Sequence, residues 1–262
     1  MAIWKEFEIQ CTNYLNRRFG AYARFIHQGG TDSTVPDILV ETKSGKSFYI
    51  DAKHSPAQCG QFVLLPDLKT RTFEYSRQNV NRINRYAEMI MEYMNEDFDE
   101  FREAGTAGKD INIRNGSDIF ASWIIQTYRD KGAEFFITNN FTILPIEEFS
   151  DYFEVSAKYR IKRSGSGNVG KSRLRPVMDY ISSHDYVITD YRVDGNKIFV
   201  TSTQNLHDTR FILRGTEYMF SLRGNEYELR KLSNTYNANV IFSIKQKSFC
   251  GLNDENFIRY LK

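Results

Sequence analysis

The chain has 262 residues, a length that allows one large domain or two smaller ones, each able to bury a core. Its composition, 41% hydrophobic and 26% charged with a net charge of +2, is that of an ordinary globular protein. No apolar stretch approaches the roughly 18 residues that a membrane helix needs, and the segment MAIWKEFEIQ has no apolar signal core, so we expect a cytoplasmic protein without membrane contact. Three widely spaced cysteines exclude a disulfide framework and a CxxC zinc site.

The N-terminal part of the sequence predicts one helix followed by a small sheet. Apolar residues at three- and four-residue spacing indicate a helix over 3–19, which Gly20 ends. Its apolar face consists of Ile3, Trp4, Phe7, Cys11, Tyr14 and Leu15. Two strand patterns follow, over 35–41 and 47–53, and an apolar run over 61–66 is expected to complete the sheet.

A second helical region and two more strands continue this α/β pattern. Residues from Arg71 to about Asp97 have helical spacing, and the apolar stripe of this helix consists of Val80, Ile83, Ala87, Ile90 and Met94. A third helix is predicted over 118–131. The runs EFFIT and FTILPI predict two strands on either side of Asn139–Asn140, which is a turn signal.

The composition changes beyond residue 153. Residues 158–175 contain seven Lys and Arg and no Asp or Glu, which is typical of a segment that meets a polyanion. After a short helix over about 174–183, the chain reads as β-strands joined by turn signals. We therefore expect two domains, an α/β domain over 1–153 and a smaller, basic, β-rich domain over 154–262.

The register of the first hairpin follows from its turn. The segment TKSGK fits a three-residue loop with Gly45 in the left-handed conformation, so that residues 42 and 46 pair. This register places Asp37 directly opposite Asp51, with Lys53 two residues along on the same face. A loop longer by one residue would turn Asp51 to the other side. The opposite, buried face then holds Ile38, Val40, Phe48, Ile50 and Ala52.

Two opposed carboxylates beside a lysine are unusual in a purely structural hairpin, because like charges repel unless a cation or a proton lies between them. Carboxylates are the ligands that Mg²⁺ prefers, and an ammonium group can orient a water molecule and offset negative charge on a phosphate. Asp37, Asp51 and Lys53 are therefore candidate catalytic residues for metal-assisted phosphodiester hydrolysis. The alternative is two solvated charges beside a surface lysine.

At this point the segment resembles a known family. Pro36-Asp37, followed fourteen residues after the aspartate by Asp51-Ala52-Lys53, is similar to the motif of the PD-(D/E)XK nuclease superfamily, which includes most restriction endonucleases, Holliday-junction resolvases and Mrr-like enzymes. The resemblance implies a restriction-endonuclease-like αβββαβ core with a mixed sheet. It also implies that Asp37 and Asp51 bind one or two Mg²⁺, with Mn²⁺ as a substitute, and that Lys53 activates water.

A further acid is expected to complete the metal site, since several branches of the family use a glutamate on the first helix. Phe7-Glu8 resembles the family's Phe-Glu pair. Glu8 lies at the edge of the apolar stripe, whereas Glu6 faces solvent, so we predict that Glu8 is the third catalytic acid. The third motif position is Asp51, where glutamate is commoner, and the loop before Asp37 lacks the glycine-aspartate cluster of Mrr-like enzymes.

The resemblance covers roughly residues 3–146 and implies a Mg²⁺-dependent DNA endonuclease. Restriction-type cleavage of duplex DNA is the expected reaction by analogy, cutting of both strands favours a homodimer, and no small-molecule cofactor is expected. The candidate contacts to the DNA backbone are Lys162, Arg163, Lys171, Arg173 and Arg175.

Two other functions stay open. Residues 165–172 satisfy the P-loop pattern GxxxxGK[ST], which would make the chain an ATP-binding protein, although the preceding run AKYRIKR does not look like a buried parallel strand. The chain would otherwise be a DNA-binding module with a catalytically inactive nuclease fold. The basic segment is alternatively a solvated linker.

Overall fold

A computed structural model describes residues 3–28, 35–248 and 250–262, except for the side chains of Ile3, Arg163, Ser164 and Asn234. The chain divides into two compact units. Unit 1 comprises Met1–Ile161 together with Ala238–Lys262, and unit 2 comprises Lys162–Asn237. We expected the second domain to span 154–262, but unit 2 begins later, at Lys162, and ends earlier, at Asn237. The residues from Ala238 to Lys262 pack with unit 1 instead.

A five-stranded mixed sheet forms the centre of unit 1. Its strand order is β1-β2-β3-β7-β8, in which β3 and β7 run parallel and the other neighbours are antiparallel. These strands are β1 Ala23–His27, β2 Ile38–Thr42, β3 Ser47–Lys53, β7 Ala133–Thr138 and β8 Thr142–Pro145. With α1 Ile3–Phe19 before β1 and α4 Gly116–Asp130 before β7, the predicted αβββαβ order is present.

Helices cover both faces of this sheet. On one face, α1 and the C-terminal helix α7 (Asp254–Leu261) pack on the apolar side of the hairpin, with Cys11, Leu15 and Phe257 fully buried. On the other face lies α4, and α2 (Arg85–Glu96) and α3 (Phe98–Arg102) contribute to the same apolar cluster as α4. The predicted apolar face of α1 is only partly right, because Trp4 is half exposed. The sequence interpretation missed α7, although the side chain of Asn253 caps its N-terminus.

The segment between β3 and α4 corrects two predictions. The run over 61–66 belongs to β4 (Ala57–Asp67), which pairs with β5 (Thr72–Tyr75) and with residues 239–244 of β14 (Glu226–Gln246), and not with the central sheet. The helix predicted from Arg71 to Asp97 begins only at Arg85. Val80 and Ile83 lie outside it and are exposed, whereas Ala87, Ile90 and Met94 are buried in it as predicted.

The described remainder of unit 1 is short. Strand β6 (Lys109–Asp110) pairs antiparallel with β9 (Phe153–Asn168), and α5 spans Phe149–Tyr152. In the part of the chain that the structure describes, no helix combines the length and the apolar character needed to cross a lipid bilayer.

Unit 2 is β-rich, as the sequence predicts. Its strands have the order β10-β11-β14-β13-β12, and α6 packs its buried Val177 and Ile181 into their apolar cluster. The elements are α6 Leu174–Ser182, β10 Ile188–Asp194, β11 Lys197–Ser202, β12 Arg210–Leu213 and β13 Thr216–Arg223, together with the first part of β14.

Candidate active site

The β2–β3 hairpin has the predicted register. Thr42 N donates to Lys46 O at 2.9 Å, Gly45 N donates to Thr42 O at 3.0 Å, and Gly45 has the left-handed φ of +88° that this loop requires. Ile38 pairs with Ile50, so that Asp37, one residue earlier, comes level with Asp51. The predicted buried face is confirmed, because Ile38, Val40, Phe48, Ile50 and Ala52 are all buried.

Asp37, Asp51 and Lys53 converge on the other face of the hairpin. Asp37 Oδ2 accepts a hydrogen bond from Ala52 N at 2.9 Å, which holds the Asp37 carboxylate against β3. Asp51 is 3% exposed, and its Oδ2 lies 2.5 Å from Lys53 Nζ. The three side chains line one cavity of about 470 Å³. The structure thus brings together the three residues that the sequence places on one face.

Burial raises the pKa of both carboxyls, and at Asp51 the charge of Asp37 adds to this effect. Burial, followed by the negative charge of Asp37, raises the pKa of Asp51 to about 7, although Lys53 acts in the opposite direction. Burial also raises the pKa of Asp37, against the attraction of Lys53 and the hydrogen bond from Ala52 N. Two acids that resist ionisation side by side are suited to sharing a proton or holding a cation.

Lys53 stays charged in this environment. Burial by itself lowers the pKa of Lys53, but the neighbouring acidic groups, with Asp51 the strongest among them, together outweigh burial and raise that pKa well above the usual value for lysine. The ammonium group also lies 5.3 Å from the ring centroid of Tyr128, a buried residue of α4. Lys53 is therefore placed to donate hydrogen bonds and to offset negative charge, and not to accept a proton.

The far wall of the cavity comes from elements that the sequence interpretation did not connect with the site. Thr127 and Lys131 line it from the C-terminal end of α4, and Gly60 and Gln61 line it from β4. Burial lowers the pKa of Lys131. A sequence signal for α4 existed, since Thr127 and Lys131 are four residues apart on one helical face directly before the strand that runs parallel to β3.

Glu8 is buried at the edge of α1, as predicted, whereas Glu6 is exposed. Its Oε2 lies 3.1 Å from His27 Nε2 on β1. Glu8 is close enough to Asp37 for its charge to contribute to the raised pKa of Asp37. It does not line the cavity, however, and within residues 3–28, 35–248 and 250–262 no three metal-ligating side chains are grouped closely enough to hold an ion. The role of Glu8 as a third ligand stays a prediction.

Two side chains that line the cavity, Asp37 and Asp51, offer the oxygen ligands that a hard divalent cation prefers. Both Asp37 and Asp51 offer carboxylate oxygens, and Asp51 Oδ2 accepts no hydrogen bond from the described residues apart from its ion pair with Lys53. A divalent cation would also offset the cost of burying both carboxylates and the repulsion by Asp37 that contributes to the raised pKa of Asp51.

The predicted DNA-contacting residues all lie in unit 2. Lys171, Arg173 and Arg175 are exposed around the start of α6, and Lys162 is half-buried in β9. Arg173 Nη1 donates to Thr216 Oγ1 at 2.6 Å and to Tyr218 OH at 3.2 Å, so this side chain also links the turn before α6 to β13. The side chain of Arg163 lies outside the described residues. Contact of these residues with DNA stays a prediction.

The P-loop pattern does not have the structure that a P-loop needs. Residues 165–168 are the extended end of β9, and Lys171–Arg173 form a single 3₁₀ turn before the nine-residue α6. A phosphate-binding loop lies between a buried parallel strand and a long helix. The strand here is instead antiparallel to β6, so the fold gives residues 165–172 no support as a nucleotide site.

Fold and site together define an α/β protein in which a mixed five-stranded sheet brings two acids and a lysine to one cavity. A solved structure of HhaI endonuclease in complex with DNA matches the chain with a TM-score of 0.80 and 38% sequence identity, over 99% of this chain and 98% of that chain. The chain belongs to the family of HhaI endonuclease, and the expected restriction-endonuclease-like fold is confirmed by this match. Neither a family model nor a curated protein sequence matches the chain.

Proposed function

We propose that this protein is a divalent-metal-dependent endonuclease that hydrolyses phosphodiester bonds in duplex DNA, with the PD-(D/E)XK arrangement of Asp37, Asp51 and Lys53 at its centre. The observation that carries the proposal is the convergence of these three side chains on one cavity. The match to HhaI endonuclease, a protein solved in complex with DNA, supports the same substrate and reaction class.

The residues divide the chemistry between them. Asp37 and Asp51 would hold one or two Mg²⁺, or Mn²⁺ in their place, and Glu8 is the candidate for a third carboxylate. A bound divalent ion supplies a water molecule of lowered pKa and charge stabilisation at the phosphate. Lys53, kept charged by Asp51, donates to the attacking water or to a phosphate oxygen and offsets the charge that develops there. Residues Lys162, Arg163, Lys171, Arg173 and Arg175 of unit 2 are proposed to contact the DNA backbone.

Purified protein and a set of DNA substrates test this function directly. Supercoiled plasmid, methylated and unmethylated linear duplexes, and branched DNA are incubated with Mg²⁺, with Mn²⁺ or with EDTA. We expect cleavage of duplex DNA with either metal, none with EDTA, and none by Asp37→Asn or Asp51→Asn. The control is Asp99→Asn, because Asp99 is exposed and pairs with Arg71 away from the cavity. Binding of duplex DNA without metal-dependent cutting would identify an inactive DNA-binding module instead.

The number of protein copies that act on one duplex is a separate question. Within the described residues, each chain has one cavity that contains the acid–lysine group. We propose that two copies cut the two strands together, as the sequence interpretation expects. In plasmid cleavage we expect nicked circles to appear only briefly, and in sedimentation we expect two chains bound to one duplex. Nicked circles that accumulate, together with one chain per duplex, would show successive cuts by a monomer.

A further inference from the structure

Two residues at the C-terminal end of α4 face the acid–lysine cavity and have no role in the proposed hydrolysis. Thr127 and Lys131 are one helical turn apart and share a face of the helix, with Lys131 at its C-terminal cap. Both line the cavity that Asp37, Asp51 and Lys53 line from the hairpin. A ligand that reaches the hairpin residues therefore meets α4 on its other side.

The hydroxyl group of Thr127 is buried without a partner. Thr127 is 3% exposed, and its Oγ1 makes no hydrogen bond to any described residue. A buried hydroxyl of this kind costs free energy in the folded protein, whereas valine would fill the same space without that cost. Such a group is expected where a bound ligand supplies the missing partner.

Lys131 balances the negative charge of the side chains that line the cavity. Among the described residues that line it, the acids are Asp37 and Asp51 and the cations are Lys53 and Lys131. Lys53 is held by Asp51, and without Lys131 the fully ionised side chains that line the cavity would carry a net negative charge. The ammonium groups of Lys53 and Lys131 each lie 5.3 Å from the ring centroid of Tyr128, and both side chains line the same cavity.

We propose that Thr127 and Lys131 bind the phosphate group that is attacked, with the Lys131 ammonium and the Thr127 hydroxyl donating to its non-bridging oxygens. This inference rests on the proposed endonuclease function and adds a second cation and a neutral donor to it. The competing explanation is structural, since a lysine at a helix C-terminus is stabilised by the helix dipole whatever the cavity binds.

Substitution of Thr127 by valine separates ligand binding from packing. We expect Thr127→Val to melt at the same temperature as the wild type or higher, and to lower kcat by roughly 10²- to 10³-fold, as loss of one preorganised donor does. Unchanged kcat in a fully folded variant would overturn the role of Thr127.

Lys131 is tested by binding as well as by cleavage. We expect Lys131→Met to lower kcat by roughly 10²- to 10³-fold. In an Asp51→Asn background with EDTA, where the DNA is not cut, Lys131→Met should also reduce the slope of log affinity against log salt concentration by about 0.9, the loss of one phosphate contact. Lys131→Arg keeps the charge and should restore that slope.

The control is Lys109→Met, because Lys109 pairs with Glu100 and lies outside the cavity. Equal salt slopes for the Lys131→Met and Lys109→Met proteins, or wild-type kcat for Lys131→Met, would overturn the proposal for Lys131. These results remain distinct from failure of the endonuclease function itself, in which the wild type and Asp51→Asn would both leave DNA intact.

Discussion

The raised pKa of Asp51 predicts that the folded protein loses stability as the pH rises and this carboxyl ionises. The unfolded chain has an ordinary Asp51 carboxyl near the reference value of 3.8, whereas burial and Asp37 raise the folded pKa to about 7. Between these values the folded protein binds more protons than the unfolded chain, so the free energy of unfolding falls as pH rises. Asparagine resembles the neutral carboxyl and has no charge to desolvate, so the free energy of unfolding of Asp51→Asn should not fall in this way as the pH rises.

The magnitude follows from the shift. A change of about three pKa units corresponds to about 4 kcal/mol at 1.36 kcal/mol per unit, and Asp51 is too deeply buried for solvent to screen much of it. We therefore expect the two proteins to have similar stability near pH 4. Near pH 8, in EDTA and without DNA, Asp51→Asn should be more stable by about 4 kcal/mol.

Urea unfolding of both proteins at pH 4, 5, 6, 7 and 8 measures this difference. Tryptophan fluorescence is a suitable signal because Trp4 and Trp123 both lie in unit 1, as does Asp51. The control is Asp99→Asn, because the hydrogen bond from Arg71 lowers the pKa of Asp99. Asp99→Asn should therefore not gain stability relative to the wild type as the pH rises, as Asp51→Asn should. A stability difference between Asp51→Asn and the wild type that stays constant from pH 4 to pH 8 would refute the reasoning.

Three other substitutions test separate parts of the structure. Lys53→Met should lower the cleavage rate by about 10²- to 10⁴-fold with little change in DNA affinity, measured by single-turnover cleavage and by binding in EDTA. Glu8→Gln should raise the Mg²⁺ concentration needed for half-maximal cleavage by about 10- to 100-fold if Glu8 supports the metal, whereas Glu6→Gln should leave it unchanged. Gly45→Ala should lower the free energy of unfolding by roughly 1 kcal/mol, because alanine is strained at a φ of +88°, and Gly167→Ala, where φ is not left-handed and the space is open, is its control in denaturant titrations.

Local patterns in the sequence were sufficient to predict which side chains lie together at the centre of the candidate site. Gly45 determines the hairpin loop, and the two-residue alternation of the strands then determines which side chains share a face. The position of Glu8 follows in the same way from the helical period of α1. These features depend on residues close together in the chain, so they can be read without knowing what packs against them.

The sequence interpretation was wrong where an element is determined by a helix cap inside an apolar pattern or by contacts between residues far apart in the chain. Val80 and Ile83 continue the helical spacing of α2, but Asn84 caps the helix at its true start and leaves both residues outside it. Strand β4 has the apolar character of a buried strand, but its composition does not specify a partner. Besides the nearby β5, it pairs with β14, which follows it by well over a hundred residues.

The sequence by itself determined the hairpin, its register and the acids and lysine that share its outer face, because periodicity records which side of an element is buried. Only the tertiary structure decided what stands opposite that face. The parallel pairing of β3 with β7 brings the end of α4, with Thr127 and Lys131, to the cavity, and α7 returns the C-terminus to unit 1. Burial patterns specify that a surface is covered but not which distant segment covers it, and that choice arises from the packing of the whole chain.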